Sequence, residues 1–310
     1  MPAYHVERSI RIDAAEPAVR PAIEDFRQWP TWSPWLCMEP DAKMTYHGKA
    51  GETGHGYDWD GDLVGAGGMR LASNEGNQLK MDLNFLRPFK SNADVQFEVK
   101  PVGDNQTEVT WHLDGKMPFF LFWMTGTMKT MIGMDYARGL KMLKEYVETG
   151  KVLSKTEIAG IVDVPQMHYV GVSDQCTIDE IGESMQRTLP AAHKFATESE
   201  SAIAGPPGAL WDEVDLKTQA FKYTAIVPVE SSQDIAGAQT GTIAPCKAIK
   251  VTHTGSYQNV GNAWSTVMAY QRYKKLKPLK SQCGFELYLN DPCETAEADL
   301  LTEIYLPIRG

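Results

Sequence analysis

Near the C-terminal end, Phe285-Glu286-Leu287-Tyr288-Leu289-Asn290-Asp291-Pro292 sets a carboxylate and a phenol two residues apart in an alternating run. In a strand, Phe285, Leu287 and Leu289 share one face, and Glu286, Tyr288 and Asn290 share the other. On a solvated face this pair is ordinary polar surface. In an apolar pocket, Glu286 is partly desolvated and anchors a cation, whose apolar body stacks on aromatic rings. The same pair suits catalysis, with Glu286 as general base or nucleophile toward a small electrophile and Tyr288 as positioning donor or acid. Trp264 and Tyr257 are candidate aromatic walls, as are Trp211, Tyr169 and Tyr223 earlier in the chain.

Other polar constellations carry less. Asp58, Asp60 and Asp62 in "DWDGD" alternate within an expected strand, so a solvated face or hairpin end explains them better than a calcium loop. The seven histidines show neither H-x-x-x-H nor Cys/His ligand spacing, so the sequence indicates no metal site. His253, in "THTGSY", reads as a structural residue ending a strand before a turn that Gly255 permits. "GAGG" at 65–68 is no dinucleotide fingerprint, and there is no P-loop or G-x-S-x-G elbow, so no cofactor is implied. "WPTWSPW" holds three indoles, Trp29, Trp32 and Trp35, but Pro30 and Pro34 should keep them off a single helical face.

The elements that must position these residues fall into two halves. Residues 4–13 read as a strand, and 14–30 as a helix with Val19, Ile23 and Phe26 on one face, ended by Pro30. Strands follow at about 43–48, 55–62, 67–73, 78–86, 91–101 and 106–116, with a "GDNQ" hairpin turn at 103–106. A long helix over about 120–148 carries Met124, Met128, Met131 and Met134, either as a ligand-facing row or as ordinary core. After a polar linker at 148–157, a β-α-β-β unit is written twice. In the first copy "IAGIVDVPQMHYVGVS" is the strand, a T-x-x-E capping box (Thr177, Glu180) opens the helix, and "ALWDEVD" and "FKYTAIVPV" form the strand pair. In the second, "CKAIKVTHTGSY" precedes a helix with Val260, Trp264, Val267 and Gln271 on one stripe. "CGFELYLNDP" and "LTEIYLPI" then pair. Such a duplication should place a concave site between its copies.

Composition narrows the function classes. With 310 residues there is length for two cores, and a net charge of −10 repels nucleic acid and anionic lipid. Both halves are acidic, so no basic domain is hidden. Five cysteines without a C-x-x-C pair, and an N-terminus lacking a basic and an apolar region, fit the cytoplasm. The most hydrophobic run, "MPFFLFWM" at 117–124, is far shorter than a membrane span.

Residues 3–148 resemble the SRPBCC, or START-like, superfamily and its polyketide-cyclase-like members. The resemblance rests on the strand-then-helix opening, the "WPTWSPW" segment, the antiparallel meander and the long final helix. It implies a helix-grip fold with an apolar cavity; the indoles are expected to pack at its mouth or base, with Trp32 and Trp35 as candidates to touch a ligand there. Residues 157–310 resemble the GyrI-like small-molecule-binding domain, also the effector module of AraC- and MerR-type regulators. "HTGSYQNVGNAW", "FELYLNDP" and "TEIYLPI" match that pattern in order and spacing. This resemblance implies an aromatic groove with a glutamate at its base, here Glu286, suited to lipophilic cations. The family includes hydrolases of small electrophiles as well as pure binders.

The expected architecture is therefore α+β: a helix-grip domain over 1–150 and a duplicated β-α-β-β domain over 156–310. The leading expectation is binding of lipophilic or cationic small molecules anchored by Glu286. The alternative is hydrolysis by Glu286 and Tyr288. A DNA-binding regulator is disfavoured, because a START-like domain stands where such regulators carry a helix-turn-helix, and neither half is basic.

Overall fold

The longer strands of the first half, such as Gln78–Arg87 and Gln106–Lys116, alternate buried and more exposed residues, as expected for a sheet with one face on a core. The computed structural model describes residues 3–116, 123–198, 201–215, 218–231 and 234–310. The chain divides into two units, Met1–Val152 and Leu153–Gly310.

In the first unit, β1 (Ala3–Ile12) pairs antiparallel with β7 (Gln106–Lys116) over its whole length. The other strands are β2 (Lys43–His47), β3 (Gly56–Asp60), β4 (Ala66–Glu75), β5 (Gln78–Arg87) and β6 (Ser91–Gly103). They complete a seven-stranded antiparallel sheet in the order β1-β7-β6-β5-β4-β3-β2. The long helix α3 (Thr125–Thr149) lies on this sheet with Gly133, Tyr136, Gly139, Leu140 and Leu143 buried. Residues 120–122 of the expected helix, and most of "MPFFLFWM", lie outside the described residues.

Two expectations for this half are corrected. The first helix, α1 (Glu16–Glu24), stops six residues before Pro30, where Asp25 turns extended. Pro30 instead sits at the start of a one-turn helix, α2 (Trp29–Trp32), where its missing N–H costs nothing. Trp29 and Trp32 therefore do share one short turn. The methionine row is not the inner face of α3 either, because Met131 is 43% exposed. The buried stripe is centred instead on Tyr136 and Leu140.

The second unit is one eight-stranded antiparallel sheet. Its strands are β8 (Ser154–Val164), β9 (Met167–Thr177), β10 (Gly208–Asp215), β11 (Ala220–Val229), β12 (Gln239–Ile243), β13 (Cys246–Gly255), β14 (Phe285–Tyr288) and β15 (Leu301–Ile308). The order is β12-β9-β11-β10-β14-β15-β13-β8. Helix α4 (Ile181–Thr197) packs on β9 and β11, and α5 (Gly261–Tyr273) packs on β13, β8 and β15. The copies β9-α4-β10-β11 and β13-α5-β14-β15 thus meet at β10 and β14.

The run read as one strand in the first copy is two, separated at Pro165-Gln166, because proline cannot donate to a ladder. The extra strands are exchanged. β8, which precedes the first copy, edges the second by pairing with β13, and β12, which precedes the second, edges the first by pairing with β9. Gly255 ends β13 at φ +128°, and a Cβ there would lie 2.2 Å from the Leu153 carbonyl oxygen.

Candidate functional site

The register of the central strands puts Glu286 at the seam between the copies. Gly208, Ala209 and Leu210 of β10 face Leu287, Glu286 and Phe285 of β14. The backbones approach so closely that a Cβ at Gly208 would be 2.0 Å from the Glu286 carbonyl oxygen. Ala209, directly opposite Glu286, supplies only a methyl group. Phe285 and Leu287 point to the other face, in a cluster with Leu210 and Ile226. The alternation read in the sequence holds over Phe285–Tyr288, where the strand ends and leaves Leu289 exposed, and the face carrying the carboxylate is buried too: Glu286 is 3% exposed.

Its carboxylate is held from two sides. The Trp264 indole N–H on α5 donates to Oε2 at 2.8 Å, and the Tyr288 hydroxyl donates to Oε1 at 2.6 Å. The Trp264 ring fits because residue 284 is glycine; a Cβ there would sit 2.9 Å from the ring. Trp211 comes from the first copy and meets Trp264 edge-on, with centroids 6.3 Å apart. Its N–H favours the Glu286 charge yet falls short of hydrogen-bond geometry, leaving a buried donor without a partner. Tyr257, in a short turn before α5, packs edge-on against Tyr288 at 5.4 Å.

Burial raises the Glu286 carboxyl above the usual carboxylate range, opposed by the hydrogen bonds from Tyr288 and Trp264 and by Trp211. Burial, then the Glu286 charge, raises Tyr288 well above the ordinary phenol value. Among the described residues Glu286 has no lysine, arginine or histidine partner. A buried carboxylate held by two neutral donors still lacks a counter-charge, an arrangement that favours protonation or a cation.

The remaining aromatic candidates are placed differently. Tyr223 is fully buried behind Trp211, its hydroxyl 2.5 Å from Ser184 Oγ and 2.9 Å from Thr188 Oγ1. Tyr169 packs with the cluster of Phe285 and Leu287, on the face opposite Glu286. In the first unit Trp32 is fully buried, its N–H donating to the Ala22 carbonyl at 3.0 Å. Trp35 is half-buried, donating to Asp135 at 3.1 Å and meeting Trp111 and Tyr136 edge-on. Trp111 stacks on Tyr136 at 4.0 Å and on Phe97 at 4.7 Å, so aromatic rings fill the space between sheet and α3.

Several neighbouring readings find their places. His253 is buried, with Nε2 3.1 Å from Ser154 Oγ, and burial lowers its pKa to about 4. Glu180 accepts from the Thr177 backbone N–H at 2.9 Å and from its hydroxyl at 2.8 Å, but α4 begins only at Ile181 with Glu180 as its N-cap, so the expected capping box does not open the helix. Asp58 pairs with Arg70 and His47, both at 2.7 Å, and Asp60 pairs with Arg87. Ala209 and Gly284 were not singled out from sequence. Gly284, directly before the alternating run, was the available signal.

Residues 160–309 match the family model of the GyrI-like small molecule binding domain, and residues 3–148 match that of polyketide cyclase / dehydrase and lipid transport. The chain joins a polyketide-cyclase-type domain to a GyrI-like domain. No curated protein matches it. Among solved structures, the EcmrR–DNA complex is 13% identical and aligns over 61% of this chain and 68% of its own, with a TM-score of 0.43. SAV2435 bound to tetraphenylphosphonium is 22% identical over 50% of this chain and 94% of its own, with a TM-score of 0.40. A START superfamily protein from Mycobacterium smegmatis is 18% identical over 47% of this chain and 99% of its own, with a TM-score of 0.34. The family model matched by residues 160–309 is that of a small-molecule-binding domain. Among the described residues, no helix is long and apolar enough to cross a membrane.

Proposed function

We propose that the GyrI-like domain binds lipophilic cations, with Glu286 as counter-charge and Trp264, Trp211, Tyr288 and Tyr257 as the aromatic enclosure. The observation that carries this reading is the buried Glu286 carboxylate, which has two neutral donors and no cationic partner among the described residues. A diffuse cation restores the missing charge at low desolvation cost, and its apolar body replaces water on the rings. The enclosure is tight around Glu286, so binding involves a shift of the Trp264 or Tyr257 ring. The test is calorimetric titration of the full chain with tetraphenylphosphonium, beside a neutral compound of similar size. Saturable binding of the cation, weakened at least about tenfold in Glu286→Gln, supports the reading. Equal affinity in wild type and variant overturns it.

A second reading rests on the 2.6 Å contact between Tyr288 and Glu286. Glu286 takes a proton from water as it attacks an activated or strained electrophile. Tyr288 protonates the departing oxygen and regains its proton from Glu286, so the net change is addition of one water. Mass spectrometry of compounds that stabilise the protein separates the readings: recovery unchanged supports binding, and recovery with water added, from wild type but not Glu286→Gln, supports hydrolysis.

A further inference from the structure

On the outer face of the first sheet, four potential ligands form a square. His5 and Glu7 lie two residues apart on β1, and His112 and Asp114 lie two apart on β7. The register sets His5 opposite Asp114 and Glu7 opposite His112. Glu7 Oε2 is 3.3 Å from both His5 Nε2 and His112 Nδ1. His5 Nδ1 is 2.8 Å from Asp114 Oδ1. One ligand atom each from His5, Glu7 and His112 can be chosen so that all lie within 4.8 Å of one another.

The surrounding charge points the same way. Along the row from Asp114, the register places Asp94 opposite Asp114 and Asp82 opposite Asp94, so three carboxylates face one another across β7, β6 and β5. Like charges directly opposite destabilise a sheet. Arg70 faces Asp82 at the far end of the row. Among the described residues neither Glu7 nor Asp114 forms an ion pair with a lysine or arginine. The cluster therefore presents excess negative charge beside two imidazoles.

We infer that His5, Glu7 and His112 form a binding site for a divalent transition metal of the zinc type. Two imidazole nitrogens, each 3.3 Å from one carboxylate oxygen, match two edges of a tetrahedron with bonds of about 2.0–2.1 Å. His5 ligates through Nε2, because Asp114 occupies Nδ1 and fixes that tautomer. Asp114 is thus a positioning residue, in the carboxylate–histidine–metal relation common at such sites. His112 ligates through Nδ1, since its Nε2 is buried away from any partner among the described residues. The fourth position faces solvent beside a cleft of about 330 Å³ lined by His5, Glu7, Arg8, Lys129 and Thr130. The metal ties the edge strand β1 to β7 and relieves the carboxylate row.

The test is titration of the metal-free, reduced full chain with zinc, followed by calorimetry and thermal melting, with cobalt as a spectroscopic substitute. One zinc per chain is expected, raising Tm by roughly 5–10 °C when zinc reaches about a hundred times its Kd. His112→Gln and Glu7→Gln should each abolish this, and Asp114→Asn should weaken zinc by about 10–100-fold without removing a ligand. These side chains point outward, and the melting temperatures of the metal-free variants check their folding. Cobalt should give tetrahedral d–d bands without a thiolate charge-transfer band. No zinc binding, binding unaffected by both glutamine variants, or a thiolate band assigning the metal to cysteine would each overturn the inference.

Discussion

Trp264 and Tyr288 grip opposite oxygens of one buried carboxylate, the indole from a helix and the phenol from the same strand as Glu286. The Trp264 bond ties α5 to the central pair of the sheet, where the two copies meet. Removing it should do more than open a cavity. In Trp264→Phe an aromatic ring is kept, though a smaller one, while a charge-assisted bond of about 1.5–3 kcal/mol is lost. We expect chemical denaturation to show a loss in that range, shrinking when Glu286→Gln is already present, because the two residues share one interaction.

Glu286 should make the unliganded protein less stable as pH rises. Its folded pKa is raised, so as pH climbs past the ordinary carboxylate range the unfolded chain gives up this proton before the native one does. The native state then loses stability until pH passes the raised value. Glu286→Gln should remove that slope and raise Tm at neutral pH, as measured by melting across pH 4 to 8. A slope unchanged in the variant would assign it to other groups.

Tyr288→Phe removes the bond that most strongly lowers the Glu286 pKa. The carboxyl should then ionise at higher pH. If a lipophilic cation binds the ionised form, the pH at which its affinity reaches half-maximum moves upward in the variant. A pH profile identical to wild type would exclude Glu286 as the titrating anchor.

His253 should act in the opposite sense on the acid side. Burial holds it neutral, with its pKa lowered to about 4, while the unfolded residue titrates near its ordinary value. The unfolded state therefore binds more protons between about pH 6.5 and 4, and stability falls as pH drops through that window. The full shift corresponds to about 3 kcal/mol. Urea titrations of wild type and His253→Gln should differ in their pH dependence there, with the variant flatter.

In the first unit, Gly139 should resist even a methyl group. A Cβ there would lie 2.9 Å from both the Trp111 ring and Pro34 Cδ. Alanine normally gains up to about 1 kcal/mol over glycine inside a helix, but overpacking costs about 1–3 kcal/mol. Gly139→Ala should therefore lower Tm, whereas Gly126→Ala on the same helix meets open space and should not.

The sequence alone determined what is local or written in order. Alternation located the strands, and the ordered motifs identified the GyrI-like half and singled out Glu286. The duplication implied a seam between copies. It misread α1, because a proline that can end one helix can equally begin another. It misread the methionine row, because helical spacing does not say which stripe faces a sheet. Only the tertiary structure decided that Tyr169 lies on the other face from Glu286, since that follows from register across four strands. It also brought His5 and Glu7 against His112 and Asp114. Residues more than a hundred positions apart become neighbours only when β1 pairs with β7, and no spacing rule along one strand can anticipate that.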